Sequence, residues 1–135
     1  MTTNPATPTY PIEHGIAAFA RGDVATLLAH AADNVDLRID HYQDGADTSW
    51  QVARDKQGLV AMLQRLAVEV FPHGTQILHT HSQPLGNDWV LTQFHQRFFY
   101  AVQQREVESL TWIVSHSQNG EVDYFRENVT TITPV

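Results

Sequence analysis

Cysteine is missing from this sequence altogether. That excludes a disulfide framework, a thiolate zinc site and a cysteine nucleophile, and it leaves the redox compartment open. Lysine is nearly missing too: Lys56 and seven arginines are the fixed cations, and the formal net charge is −7. Such a balance argues against nucleic acid or an anionic membrane surface as partner. No apolar run approaches the ~18 residues that a membrane span needs. Residues Met1–Tyr10 have neither a basic start nor an apolar core, so they read as a flexible tail rather than a secretory signal, and a cytoplasmic location is expected. There is no phosphate-cradling glycine motif and no Gly-x-Ser-x-Gly elbow. No cofactor is expected.

What is present is 135 residues, read as one domain over residues 11–135 with a core that needs no staples. Pro11 opens a first helix to about Arg21, with Ile12, Ile16, Phe19 and Ala20 at helical spacing. Gly22 stops it, and Asp23 caps a second helix over Val24–Ala32. Val35–Tyr42 alternates as a strand, with Val35, Leu37, Ile39 and His41 on one side. Asp44-Gly45 then turns into a short strand around Ser49–Val52. A long third helix over Asp55–Val70 presents Leu59, Met62, Leu63, Leu66 and Val70 on one stripe, and Phe71-Pro72 with Gly74 ends it. A strand over Thr75–Gln83 follows, and Gly86-Asn87 leads into a three-strand meander. The order is α-α-β-β-α-β-β-β-β, an α+β arrangement.

Asn119-Gly120, between two runs rich in β-branched and aromatic residues, is the strongest hairpin signal, because a type I′ turn needs positive φ at both central positions. A two-residue loop sets Gln118 opposite Glu121, and an unbroken ladder then sets Trp112 opposite Glu127. The preceding turn falls most simply at Gln103-Gln104, which sets His95 opposite Trp112. One residue of slip would exchange the two faces of a strand. In this register one face carries Gln93, His95, Arg97, Leu110, Trp112, Val114, Phe125 and Glu127. The other carries Phe94, Phe98, Tyr100, Ile113 and Tyr124. Both hold large apolar groups, so both need cover. The first also mixes an imidazole, a guanidinium and a carboxylate with aromatics, the composition of a ligand cavity.

The element order, Ala-Arg-Gly-Asp (20–23) between the first helices, Ala-Asp-Asn-Val (32–35) entering the first strand, and the closing Asn-Gly-Glu-Val…Arg-Glu-Asn (119–128) together resemble the nuclear transport factor 2-like superfamily. The nearest branch resembles the SnoaL-like and ketosteroid-isomerase-like proteins. The resemblance covers about residues 11–131. It implies a cone-shaped, barrel-like fold, with a strongly curved mixed sheet wrapped round three helices and a pocket between them. It also implies a homodimer, through the outer sheet face. Steroid isomerase activity does not carry over. The tyrosine, base and acid that activity requires would fall at Gly15, Ile39 and Trp112, and none of the three can serve.

On this reading His95 and Glu127 are the candidate acid/base pair, since imidazole titrates near neutrality. Gln93, Arg97, Leu110, Trp112, Val114, Phe125, Ile39 and His41 are the candidate ligand-binding residues. Arg97 pairing with Glu108 or Glu127, and His95 bonding within that network, is the structural alternative. His79-x-His81 puts two imidazoles on one side of a strand, but no carboxylate stands nearby in metal-site spacing, so no metal is expected. If the loop is Gly86-Asn87, His79 pairs with Phe94. Asp40 has no assigned role. Trp50 and Trp89 read as packing residues. Two classes of function fit: a cofactor-independent isomerase, cyclase or dehydratase acting on a small organic molecule, or a non-catalytic ligand-binding or dimeric accessory domain.

Overall fold

The computed structural model describes residues 8–42 and 45–135. Asp44, the first residue of the expected Asp44-Gly45 turn, and most of the expected tail lie outside the described residues. Helices α1 (Pro11–Ala20), α2 (Val24–Ala29) and α3 (Lys56–Glu69) combine with strands β1 (Ala31–His41), β2 (Val52–Ala53), β3 (Thr75–Gly86), β4 (Trp89–Tyr100), β5 (Arg105–Gln118) and β6 (Glu121–Pro134) in the expected order. Each helix begins where local chemistry satisfies its free N–H groups. At α1, Glu13 Oε1 accepts the backbone N–H of Thr9 (2.8 Å) and of Tyr10 (3.2 Å). At α2, Asp23 accepts the Thr26 N–H at 3.1 Å. The Thr26 hydroxyl and N–H hold the Asp23 carboxyl below its ordinary range.

Asp55 caps α3 by accepting the Gly58 N–H at 2.6 Å. A Cβ on residue 58 would stand 3.1 Å from that same carboxylate oxygen, so glycine lets the cap close. Replacing Asp55 by alanine is expected to cost about 1 kcal/mol. Urea unfolding should show a lower midpoint with an unchanged slope.

The six strands form one curved, unclosed sheet in the order β2-β1-β6-β5-β4-β3. β1 runs parallel to β6 and all other pairs are antiparallel. The helices cover one face. Leu59, Met62 and Leu66 of α3 pack there with Val35, Leu37, Phe98, Tyr100 and Val107. Ile12 and Ile16 of α1 pack there with Phe94, Ile113 and Val122.

Strand register departs from the simplest ladder at several places, three of which decide the expected pairings. The Asn119-Gly120 turn has the expected positive φ at both residues, and Gln118 pairs with Glu121. The ladder then slips: Ser117 pairs with Val122 but His116 with Tyr124, leaving Asp123 as an extra residue. Such a bulge turns the side chains that follow it to the opposite face, here as far as Val129, after which a second slip restores the phase. Glu127 therefore stands opposite Ile113, and Trp112 opposite Asn128; the expected Trp112–Glu127 pair does not form. At the second place, residues 101–104 make a four-residue connection with Gln104 at positive φ, so His95 pairs with Leu110 rather than Trp112. That change is by two residues and keeps the faces of β4 and β5 together. At the third, the turn is Asn87-Asp88, both at positive φ, and one slip between Pro84 and Gly86 sets His79 against His95 rather than Phe94.

The outcome inverts β4 and β5 relative to β6. Phe94, Phe98, Tyr100 and Ile113, expected on the outer face, point to the helices. Of that set Tyr124 lies outside, its ring edge-on to Trp89.

Candidate functional site

Between the helices and the inner sheet face lies a cavity of about 140 Å³, open at one side to solvent. Its wall is largely aliphatic and aromatic, with Ile16, Phe19, Leu37, Met62, Leu66, Phe94 and Phe98 prominent. Polar side chains are few and separated: His30, His41, Gln51, Gln96, Tyr100, Ser109 and Glu127. An apolar cavity with a handful of placed polar groups is the usual form of a small-molecule site.

Glu127 is the carboxylate among the residues lining this cavity. β6 places it between Ile39 of β1 and Ile113 of β5, so hydrocarbon flanks it on both sides along the sheet. It retains partial accessibility because the cavity it faces admits water, yet protein surrounds it. Burial penalises the charged form and pushes its pKa from 4.5 up to about 7, while the Thr111 hydroxyl pulls the other way. Thr111 Oγ1 lies 2.9 Å from the Asn128 carbonyl oxygen and 3.3 Å from Glu127 Oε2. The Thr111 hydroxyl is the donor in both contacts, and the carbonyl is the nearer acceptor. Near neutral pH Glu127 can thus hold or release a proton inside an apolar enclosure.

The residues expected to share a site divide between the two faces. Glu127, Phe125, Ile39 and His41 line the cavity. Gln93, His95, Arg97, Leu110, Trp112 and Val114 alternate with the buried residues of β4 and β5 and lie on the outer face. His95 Nε2 is 3.2 Å from Glu108 Oε1, and Arg97 Nε is 3.8 Å from Glu106 Oε2. Trp112 is 40% exposed. The expected His95–Glu127 pair is therefore split by the sheet itself. His79 and His81 sit on the outer face opposite His95 and Gln93, their rings 6.4 Å apart. Among the described residues, no three histidine or acidic side chains are grouped to hold a metal. Trp50 packs against the core, with the Arg65 guanidinium 4.2 Å above its ring.

Gln51, Gln96, Ser109 and Thr111 were not among the expected site residues, and all four are buried on the inner side. A signal for them exists. Ser109, Thr111, Ser115 and Ser117 recur with period 2 on β5, but small hydroxyls opposite Leu110, Trp112 and Val114 read as the solvent side.

No protein-family model matches the chain, and no curated protein matches it. Solved structures do. An NTF2-like protein from Burkholderia xenovorans is 22% identical, with a TM-score of 0.64 over 88% of this chain and 86% of that one. A candidate polyketide cyclase from Xanthomonas campestris is 13% identical, with a TM-score of 0.70 over 87% and 86%. A candidate isomerase from Rhodopseudomonas palustris is 15% identical, with a TM-score of 0.65 over 91% of each chain. The fold is that of the nuclear transport factor 2-like superfamily. No helix among the described residues is long and apolar enough to cross a membrane.

Proposed function

We propose that the cavity binds a small, mostly apolar organic molecule and that Glu127 moves a proton to or from it, in a cofactor-independent isomerase, cyclase or dehydratase of the SnoaL-like kind. The observation that carries this reading is a carboxyl group raised to about pH 7 by burial in an apolar cavity. A general acid/base works best when its pKa lies near the working pH, and buried groups with displaced pKa values mark functional sites more often than structural ones. The candidate cyclase and isomerase of the same fold are consistent with it. His41 lines the same cavity, two residues along β1 from Ile39, the strand neighbour of Glu127. His95 has no part in this chemistry, since it lies on the other face.

The test is hydrogen exchange at carbon. A panel of cyclic ketones in D2O, followed by proton NMR, should include compounds whose α-hydrogens exchange faster with the protein present. Replacing Glu127 by glutamine should slow that exchange at least ~100-fold, the low end for loss of a positioned acid/base. If the panel binds with no exchange, or if the variant exchanges as fast, the cavity belongs to a non-catalytic ligand-binding domain instead.

We further propose that the outer sheet face, where Leu91, Trp112 and Tyr124 lie, is covered by a second copy of the chain. A stable interface buries well over ~1,000 Å². Light scattering at micromolar concentration should return twice the 15.2 kDa chain mass; a particle of the single-chain mass would contradict a dimer.

A further inference from the structure

Ser109 and Gln96 stand directly opposite each other on β5 and β4, and both line the cavity. Ser109 is 1% exposed, and its Oγ has no hydrogen-bond partner among the described residues. Gln96 is 3% exposed. Its Oε1 accepts the Thr75 hydroxyl at 2.6 Å, which fixes the amide so that the Nε2 hydrogens are turned away from Thr75. An unpaired buried hydroxyl carries a free-energy penalty that evolution readily removes by alanine, so one that persists at a cavity wall calls for an explanation. A hydroxyl and an amide thus stand side by side on adjacent strands in the same largely apolar wall.

We propose that Ser109 and Gln96 form an oxygen-recognition subsite that accepts a carbonyl oxygen of the cavity's ligand, with each side chain donating one hydrogen bond. A carbonyl oxygen has two lone pairs and no hydrogen, which matches two adjacent donors. The subsite is remote from Glu127. Ser109 lies four residues along β5 from Ile113, the neighbour of Glu127, roughly 13 Å at 3.3 Å per residue. The ligand class is therefore an elongated apolar molecule with a carbonyl at the end away from the proton-transfer position. The subsite orients the molecule and takes no part in bond making. It rests on reading the cavity as a small-molecule site, though not on Glu127 moving a proton.

The test compares 2-acetylnaphthalene with its carbon isostere 2-isopropenylnaphthalene, each displacing the fluorescent dye N-phenyl-1-naphthylamine from the protein. Ser109→Ala and Gln96→Leu should each weaken the ketone by roughly fivefold to tenfold and leave the isostere within about twofold, the range for losing a neutral hydrogen bond. Ser109→Ala should at the same time hold or raise the melting temperature, because it removes an unpaired hydroxyl; a purely structural serine would lower it. Glu127→Gln should leave the ketone-to-isostere ratio unchanged. Equal weakening of both compounds, or no weakening of the ketone, overturns the subsite while leaving the cavity as a ligand site. Failure of both compounds to displace the dye overturns the subsite and the cavity reading together.

Discussion

Glu127→Gln is expected to stabilise the protein by about 2–3 kcal/mol at pH 8 and to change little at pH 4. The sign follows from the raised pKa. Between its unfolded value of 4.5 and its folded value of about 7, the folded state binds more protons than the unfolded one. Wild-type stability should therefore fall as pH rises through that window and level off above it. The full ~3.4 kcal/mol for a shift of this size is an upper bound, since water entering the cavity eases the penalty on the charge. Glutamine is neutral in both states and removes the dependence. Chemical denaturation of both proteins at pH 4, 6 and 8 reads it out, with the two curves diverging as pH rises. A wild type that gains stability over the same window would mean a carboxylate paired in its charged form.

The second large effect separates the faces of the sheet. Phe98→Ala should cost about 3–5 kcal/mol, because it removes a buried aromatic ring from the core. Phe98 lies 4.5 Å from the Phe71 ring and 5.7 Å from that of Tyr100, centroid to centroid. The neighbouring substitution His95→Ala should cost no more than about 1 kcal/mol, as expected for a half-exposed ion pair such as that with Glu108. Thermal unfolding of the two variants gives the comparison directly. Equal losses, or a larger loss at His95, would instead favour the face assignment expected from sequence, with His95 inside and Phe98 outside.

That inversion marks where reading from sequence succeeds and where it stops. Helix starts were legible because Pro11, Asp23 and Asp55 carry their own chemistry, and the stripe Leu59, Met62, Leu66 and Val70 has the period of a helix. The Asn119-Gly120 turn was legible for the same reason. The fold followed from element order, which survives errors of register. The site did not. One extra residue, Asp123, reverses the faces of the six residues that follow it on β6, up to a second slip after Val129, and its local marker is a carboxylate 2.7 Å from His116 Nδ1, a contact invisible before the strands are paired. On β5 the inner face mixes Ser109, Thr111 and Ser115 with Val107 and Ile113, and the outer face bears Leu110, Trp112 and Val114, so hydrophobicity alone does not tell the two faces apart. The β1 residues Ile39 and His41 line the cavity, on the side that the alternation from Val35 and Leu37 gives them. Glu127 was found as a cavity residue, but beside Ile113 rather than Trp112.

The proton-transfer role of Glu127 is tested most directly by its own titration. Selective 13C labelling of glutamate, with the Glu127 side-chain carboxyl signal assigned by its loss in Glu127→Gln, allows the midpoint to be followed by NMR in the folded protein. A midpoint near pH 7 is expected from burial in the apolar cavity. A midpoint near 4.5, the ordinary glutamate value, would mean that the group is solvated and ionised at neutral pH, and would contradict its assignment as the acid/base of the site.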